Sequence, residues 1–228
     1  MIGVPEIEFS SLEINGFGGA PLPNRLLRLK GATPPALGVI FPGLRYSCDM
    51  PLLYYTTRLL LRSGIDVLQV QRDYTQPAYQ SAHRLEQLQM LGQDAQAAIA
   101  GGLAQGGYSR LVLVGKSIGT LVLAYLGSSL SQPPFVSVWL TPLLDQPLLV
   151  EAACSSTAPG LFVAGSGDAL YDPAALERIR FTAQAEVQVF PGADHSLELP
   201  SDLPGSLAIL GEYLQGLGSF LDRNLNHP

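Results

Sequence analysis

The chain has 228 residues, with 13 basic and 19 acidic side chains and a formal net charge of −6. That length is about 1.5 times a typical domain, and a composition 47% hydrophobic and only 14% charged describes one core-rich domain over residues 1–228, not a disordered or low-complexity chain. The acidic balance, with 2 Lys and 11 Arg that never form a basic run, offers no stripe for a phosphate backbone, so no nucleic-acid partner is expected. The two cysteines, Cys48 and Cys154, lack C-x-x-C spacing and supply neither a zinc knuckle nor a disulfide scaffold.

The opening residues Met1 to Glu8 contain neither a basic n-region nor an apolar h-region, which predicts a cytoplasmic protein. The most apolar stretch, Leu111 to Leu126, is broken by Lys116 and two glycines and is too short to cross a bilayer, so no membrane partner is expected. Glu6 to Asn15 alternates in part and Arg25 to Lys30 is short and strand-like, with Asn15-Gly16-Phe17-Gly18-Gly19 and Pro21-Leu22-Pro23 as turn chemistry between them. This predicts an antiparallel N-terminal edge.

From Ala36 onward, short apolar runs alternate with longer segments of helical period, the pattern of βαβ units. Strands are predicted near Leu37 to Phe41, Asp66 to Gln71, Arg110 to Val114, Val136 to Leu140, Leu161 to Ala164 and Glu186 to Phe190; their near-continuous apolar character suits a sheet covered on both faces. Helices are predicted near Pro51 to Arg62, Ala78 to Ala104, Ile118 to Ser128, Pro173 to Arg180 and Leu203 to Arg223. The fold class is therefore α/β, a mostly parallel doubly wound sheet with helices on both faces.

After the strand Leu111-Val112-Leu113-Val114 comes Gly115-Lys116-Ser117-Ile118-Gly119, a G-x-S-x-G motif between strand and helix. Such a turn is tight enough to hold its serine in a strained conformation, and side chains at the flanking glycines would collide with backbone. The plain alternative is a glycine-rich βα turn with Ser117 capping the helix. A phosphate-binding loop ending at Gly115-Lys116-Ser117 needs a glycine where Arg110 stands, and its loop residues would be the strand Leu111 to Val114. Gly165-Ser166-Gly167 lacks the third glycine of a dinucleotide fingerprint.

A serine hydroxyl needs an adjacent base, and a third group to orient that base. Of the three histidines, His83 lies in a polar helical segment before Ser117 and His227 is the penultimate residue. His195 follows the late strand ending at Phe190, in Pro191-Gly192-Ala193-Asp194-His195-Ser196, at the strand edge where open α/β sheets bind ligands. The strand Leu161 to Ala164 runs into Gly165-Ser166-Gly167-Asp168, which delivers a carboxylate to the same edge. The order Ser117, Asp168, His195 is that of nucleophile, acid and base in hydrolases.

On Gly115-Lys116-Ser117-Ile118-Gly119, Gly165-Ser166-Gly167-Asp168 and Gly192-Ala193-Asp194-His195, the chain resembles the α/β-hydrolase superfamily, in particular its small, lid-free members similar to dienelactone hydrolase and related esterases. The resemblance implies that Ser117 attacks an acyl carbon, His195 moves the proton and Asp168 fixes the imidazole. Asp145, after the preceding strand, is an alternative acid; Asp194 is read as a turn residue and Asp172 as a helix N-cap before Pro173. The resemblance also implies an oxyanion hole from two backbone N–H groups, those of Ile118 and, in the loop Phe41-Pro42-Gly43-Leu44, of Leu44, since Pro42 has no N–H.

The segment Thr141 to Gly160, where larger relatives insert a cap, has room for a short helix and no lid, so an open pocket is expected, shaped by residues 44–50, 72–78 and 141–160. Arg45, Tyr46 and Arg72 lie just past strands at that edge and are candidate contacts for a substrate carboxylate; the alternative is ion pairing of these arginines with Asp49 and Asp73. Cys48 is read as a small buried hydrophobe. The expected function is hydrolysis of a carboxylic ester of a small acyl substrate, with a thioester or peptide bond as alternatives and no metal or organic cofactor. A fold of this kind that binds a partner without turnover is the competing class; hydrogen-bond reach between Ser117, His195 and Asp168 separates the two.

Overall fold

A computed structural model describes residues 6–130 and 132–225. His227 and the first five residues lie outside the described residues. The chain runs β1 (Ile7–Ser10), β2 (Asn24–Leu29), β3 (Ala36–Phe41), α1 (Pro51–Arg62), β4 (Asp66–Val70), α2 (Pro77–Gln80), α3 (Arg84–Leu103), β5 (Arg110–Lys116), α4 (Gly119–Ser129), β6 (Phe135–Leu140), α5 (Pro147–Cys154), β7 (Gly160–Gly165), α6 (Pro173–Thr182), β8 (Glu186–Phe190) and α7 (Leu203–Leu225). Among the described residues the strands form one sheet in the order β1-β2-β4-β3-β5-β6-β7-β8. The β1–β2 and β2–β4 pairs are antiparallel and all the others parallel, so the antiparallel N-terminal edge is present.

The central strands are mostly apolar because both their faces are covered, with Asp66 and Gln69 of β4, Lys116 of β5 and Ser137 of β6 as buried polar exceptions. On β3, Leu37, Val39 and Phe41 face one cluster and Ile40 the other, as the two-residue period of a strand requires. The first cluster holds Leu91, Ala95 and Ala98 of α3, Val122 of α4, Leu149 of α5 and Ile179 of α6; the second holds Leu53 and Leu60 of α1 with Tyr213, Leu217 and Phe220 of α7. In α1 the buried positions Leu52, Leu53, Thr56, Thr57, Leu60 and Leu61 recur every fourth residue in pairs, the spacing of one helix face. Pro51 opens that helix and Gly64, at φ 72°, closes it in the left-handed conformation glycine tolerates best.

The predicted helix from Ala78 to Ala104 is two helices. The side chain of Tyr79 is buried edge-on to Tyr74, with ring centroids 5.1 Å apart, while Gln80 and Gln87 donate to the Tyr74 and Tyr79 carbonyls. Those tertiary contacts pin a bend through Ser81 to His83, and the helix restarts at Arg84 with His83 in an extended conformation. The segment 141–159 carries the short helix α5. No described helix is long and apolar enough to cross a membrane.

Candidate active site

The parallel register sets the carboxyl ends of β3, β5, β6, β7 and β8 at one edge of the sheet: Gly115 pairs with Phe41, Lys116 with Leu140, and Gly165 with Phe190. Ser117 follows β5 at φ 54°, a left-handed conformation that costs a non-glycine residue roughly 1–3 kcal/mol. Its flanks explain how the turn closes. A Cβ on Gly115 would stand 2.4 Å from the Gly119 carbonyl oxygen, and one on Gly119 2.3 Å from that of Phe41. The Ser117 amide donates to Leu140 O at 2.9 Å, tying the turn to β6.

The loops after β7 and β8 are stitched together by backbone. Gly167 N donates to Ala193 O at 2.9 Å, Ser166 N to Phe190 O at 3.0 Å, and Gly192 N to the Ser166 hydroxyl at 2.9 Å. A Cβ on Gly165 would lie 2.1 Å from Ala193 O, so the contact requires glycine there. Asp194 Oδ1 accepts from the Ser196 and Glu198 amides, which folds the loop back and presents the ring of His195.

As a result His195 Nε2 lies 2.8 Å from Ser117 Oγ, and His195 Nδ1 lies 2.7 Å from Asp168 Oδ2. The Asp168 side chain is 4% exposed and that of His195 is 36% exposed, so the carboxylate is enclosed while the imidazole is partly open to solvent. Burial pushes the Asp168 carboxyl up, but hydrogen bonds from His195 and the Leu170 amide, together with the charges of His195 and Lys116, outweigh it and hold the group below the ordinary carboxylate range. Asp145 is exposed and accepts from the Gln146 side chain instead. Asp172 caps α6 by accepting from the Ala174 and Ala175 amides.

Leu44 is 43% exposed on the turn from Gly43 to Tyr46, which is closed by Gly43 N to Tyr46 O at 3.0 Å and Tyr46 N to Gly43 O at 3.3 Å. The missing side chain of Gly43 lets that turn approach the turn at Ser117; a Cβ there would stand 3.4 Å from Ser117 Cβ. The amides of Leu44 and Ile118 donate to no other group among the described residues. A cleft of about 560 Å³ opens between the loops after β3 and β4, with Gly43, Arg45, Met50, Arg72 and Thr75 in its walls. Residues 141–160, expected to help shape the pocket, do not line this cleft.

The candidate carboxylate contacts divide. Arg72 Nε bonds Asp94 Oδ2 at 2.9 Å, a buried carboxylate that also accepts from the Phe17 amide, so Arg72 braces the turn at Phe17–Gly19. Tyr46 is buried, and its hydroxyl accepts from Leu52 N at 3.1 Å, satisfying an N-terminal amide of α1 that Met50 leaves uncapped. Arg45 is exposed and makes no ion pair among the described residues. The expected pairings with Asp49 and Asp73 are also corrected: Asp49 pairs with Arg25, and Asp73 accepts within its own loop from Thr75 and Gln76. Cys48 is buried, and burial pushes its thiol up to about 12.

The sequence reading passed over Lys116 and Thr141. Lys116 is buried, and its Nζ donates to His195 O at 2.7 Å and to Thr141 Oγ1 at 3.0 Å. The available signal is a lysine inside an otherwise apolar run. Among the described residues no group of three or more His, Cys, Asp or Glu side chains is placed to hold a metal ion.

No protein-family model and no curated protein sequence matches the chain. Solved structures do. The chain is similar to a lid-free α/β serine hydrolase from Xanthomonas campestris (TM-score 0.73, 20% identity, 97% of each chain covered). It is similar to an esterase from Pyrococcus furiosus (TM-score 0.71, 16% identity, covering 95% of this chain and 93% of that one). A cold-adapted esterase from an Arctic intertidal metagenomic library gives TM-score 0.72 at 20% identity, covering 96% and 94%. At such identities the likeness is one of architecture: the chain has the α/β-hydrolase fold.

Proposed function

We propose that this α/β-hydrolase fold is a serine hydrolase that cleaves carboxylic esters through an acyl-enzyme intermediate. The observation that carries the reading is the unbroken hydrogen-bond chain from Ser117 through His195 to Asp168. Ser117 Oγ attacks the ester carbonyl as His195 Nε2 takes its proton, and Asp168 on Nδ1 holds the tautomer and favours the imidazolium. The N–H groups of Leu44 and Ile118 receive the developing oxyanion. His195 returns the proton to the departing alkoxide, and water, deprotonated by the same imidazole, releases the acid from Ser117.

The cleft beside Gly43 accommodates the substrate, and Arg45 on its wall is the cation we assign to an anionic substituent. The test is a panel of aryl esters with matched thioesters and anilides, assayed on the wild type and on Ser117→Ala. The reading predicts ester turnover that falls at least about 10³-fold in Ser117→Ala, with the thermal midpoint retained. Turnover equal in the two proteins overturns it.

A further inference from the structure

Lys116 directly precedes Ser117, and the residue is 1% exposed. Lysine stems ordinarily run along apolar surface and release the charge into water. This one turns inward, with Cδ 3.0 Å from the place a Cβ on Gly43 would occupy and Nζ 4.7 Å from the centroid of the Tyr46 ring. Its two acceptors are the His195 carbonyl and the Thr141 hydroxyl, and among the described residues no other group donates to that carbonyl. Three loops at the reactive edge thus meet on one ammonium carried by the end of β5: after β3 through Tyr46, after β6 through Thr141, and after β8 through His195. Methionine fills such a space without desolvating a charge, so packing alone does not account for lysine here.

We infer that Lys116 is a positioning residue for the reaction proposed above: its ammonium clamps the His195 loop so that the imidazole stays in line between Ser117 and Asp168. The inference rests on that reading for its kinetic consequences. Bonds donated by an ammonium are roughly twice as strong as those of a neutral donor, so the clamp is tightest when Lys116 is protonated. The charged and titratable groups facing it are Asp168 after β7, Asp194 and His195 after β8, and Tyr46 after β3. Burial pushes the lysine down to about 8, and Asp168 and Asp194 partly pull it back up. The clamp therefore weakens as pH rises through about 8.

The experiment measures kcat and KM for one aryl ester across neutral and alkaline pH in the wild type, Lys116→Met and Thr141→Val, alongside the low-field NMR resonance of the His195 Nδ1 proton. Misplacing a reacting group by about 1 Å costs roughly 10²-fold. Lys116→Met is thus expected to unfold cooperatively, keep KM within about twofold, lose about 100-fold in kcat, and lack the alkaline limb seen in the wild type. Thr141→Val keeps that limb with a smaller loss. The low-field resonance, sharp in the wild type, broadens in Lys116→Met. Wild-type kcat with an unchanged limb in Lys116→Met overturns the inference. Should Lys116→Met fail to fold, a wild-type profile flat above about pH 8, with full activity in Thr141→Val, overturns it equally. A resonance that broadens in Lys116→Met although the wild type shows no Ser117-dependent turnover leaves the clamp standing and defeats the hydrolase reading instead.

Discussion

Asp168 and Asp145 leave neighbouring strands at one edge of the sheet, yet only Asp168 meets His195, and the backbone contacts of Gly165 and Gly167 with the β8 loop decide this. Asp168→Asn removes the acceptor that fixes the imidazole tautomer, and kcat is expected to fall about 10³- to 10⁴-fold; Asp145→Asn, which changes only an exposed bond to Gln146, should stay near the wild type. Steady-state kinetics on the two purified variants checks the pair. Ser117, Asp168 and His195 could be singled out from sequence because glycines marked all three turns that carry them. Arg72 pairs with Asp94 and not with Asp73 as expected, because the face that Asp94 presents on α3 is set by packing against the sheet and the Phe17 turn, not by spacing along the chain. The contacts of Lys116 were not legible for a different reason: the G-x-S-x-G pattern treats its position as free, and inward rotation of a lysine depends on acceptors in the loops after β6 and β8.

At the scale of elements, the close fit between the β7 and β8 loops is what brings Asp168 and His195 within hydrogen-bond reach. Gly165→Ala drives a Cβ into Ala193 O, where only backbone movement gives relief, and is expected to cost about 1–3 kcal/mol while loosening the Asp168–His195 bond. Gly211→Ala in α7 meets open space and is expected to stabilise by about 0.5–1 kcal/mol, so urea denaturation of both separates steric cost from helix propensity. The central parallel strands were legible because burial on both faces makes their apolar runs nearly continuous, as in Leu111 to Val114 and Leu161 to Ala164. The break between α2 and α3 was not, since the helical period continues through Ser81 to His83 and the bend comes from Tyr79 seating beside Tyr74.

Across the whole molecule, the sheet edge that assembles the site also buries titratable groups, and these set the alkaline boundary of the fold. The Cys48 thiol, with an ordinary value of 9.0, is pushed by burial to about 12, and Tyr46 likewise to about 12. A group raised on folding contributes stability that is complete below its unfolded value and is lost as pH climbs towards its folded one, so the Cys48 contribution disappears between about 9 and about 12. Relative to Cys48→Val, the wild type should lose about 2 kcal/mol between neutral pH and about pH 10.5, read from urea midpoints at the two conditions. Lys116, lowered on folding to about 8, acts in the opposite sense above that value, but it does so in both proteins and cancels from this comparison. The central claim is that Ser117 is an activated nucleophile at this edge, and the most direct test is reaction with a fluorophosphonate followed by mass spectrometry of the adduct. The account predicts a single adduct on Ser117, absent from Ser117→Ala and much slower to form in Asp168→Asn. A folded wild-type protein that takes no label, or that takes it elsewhere at the same rate in Ser117→Ala, contradicts the account.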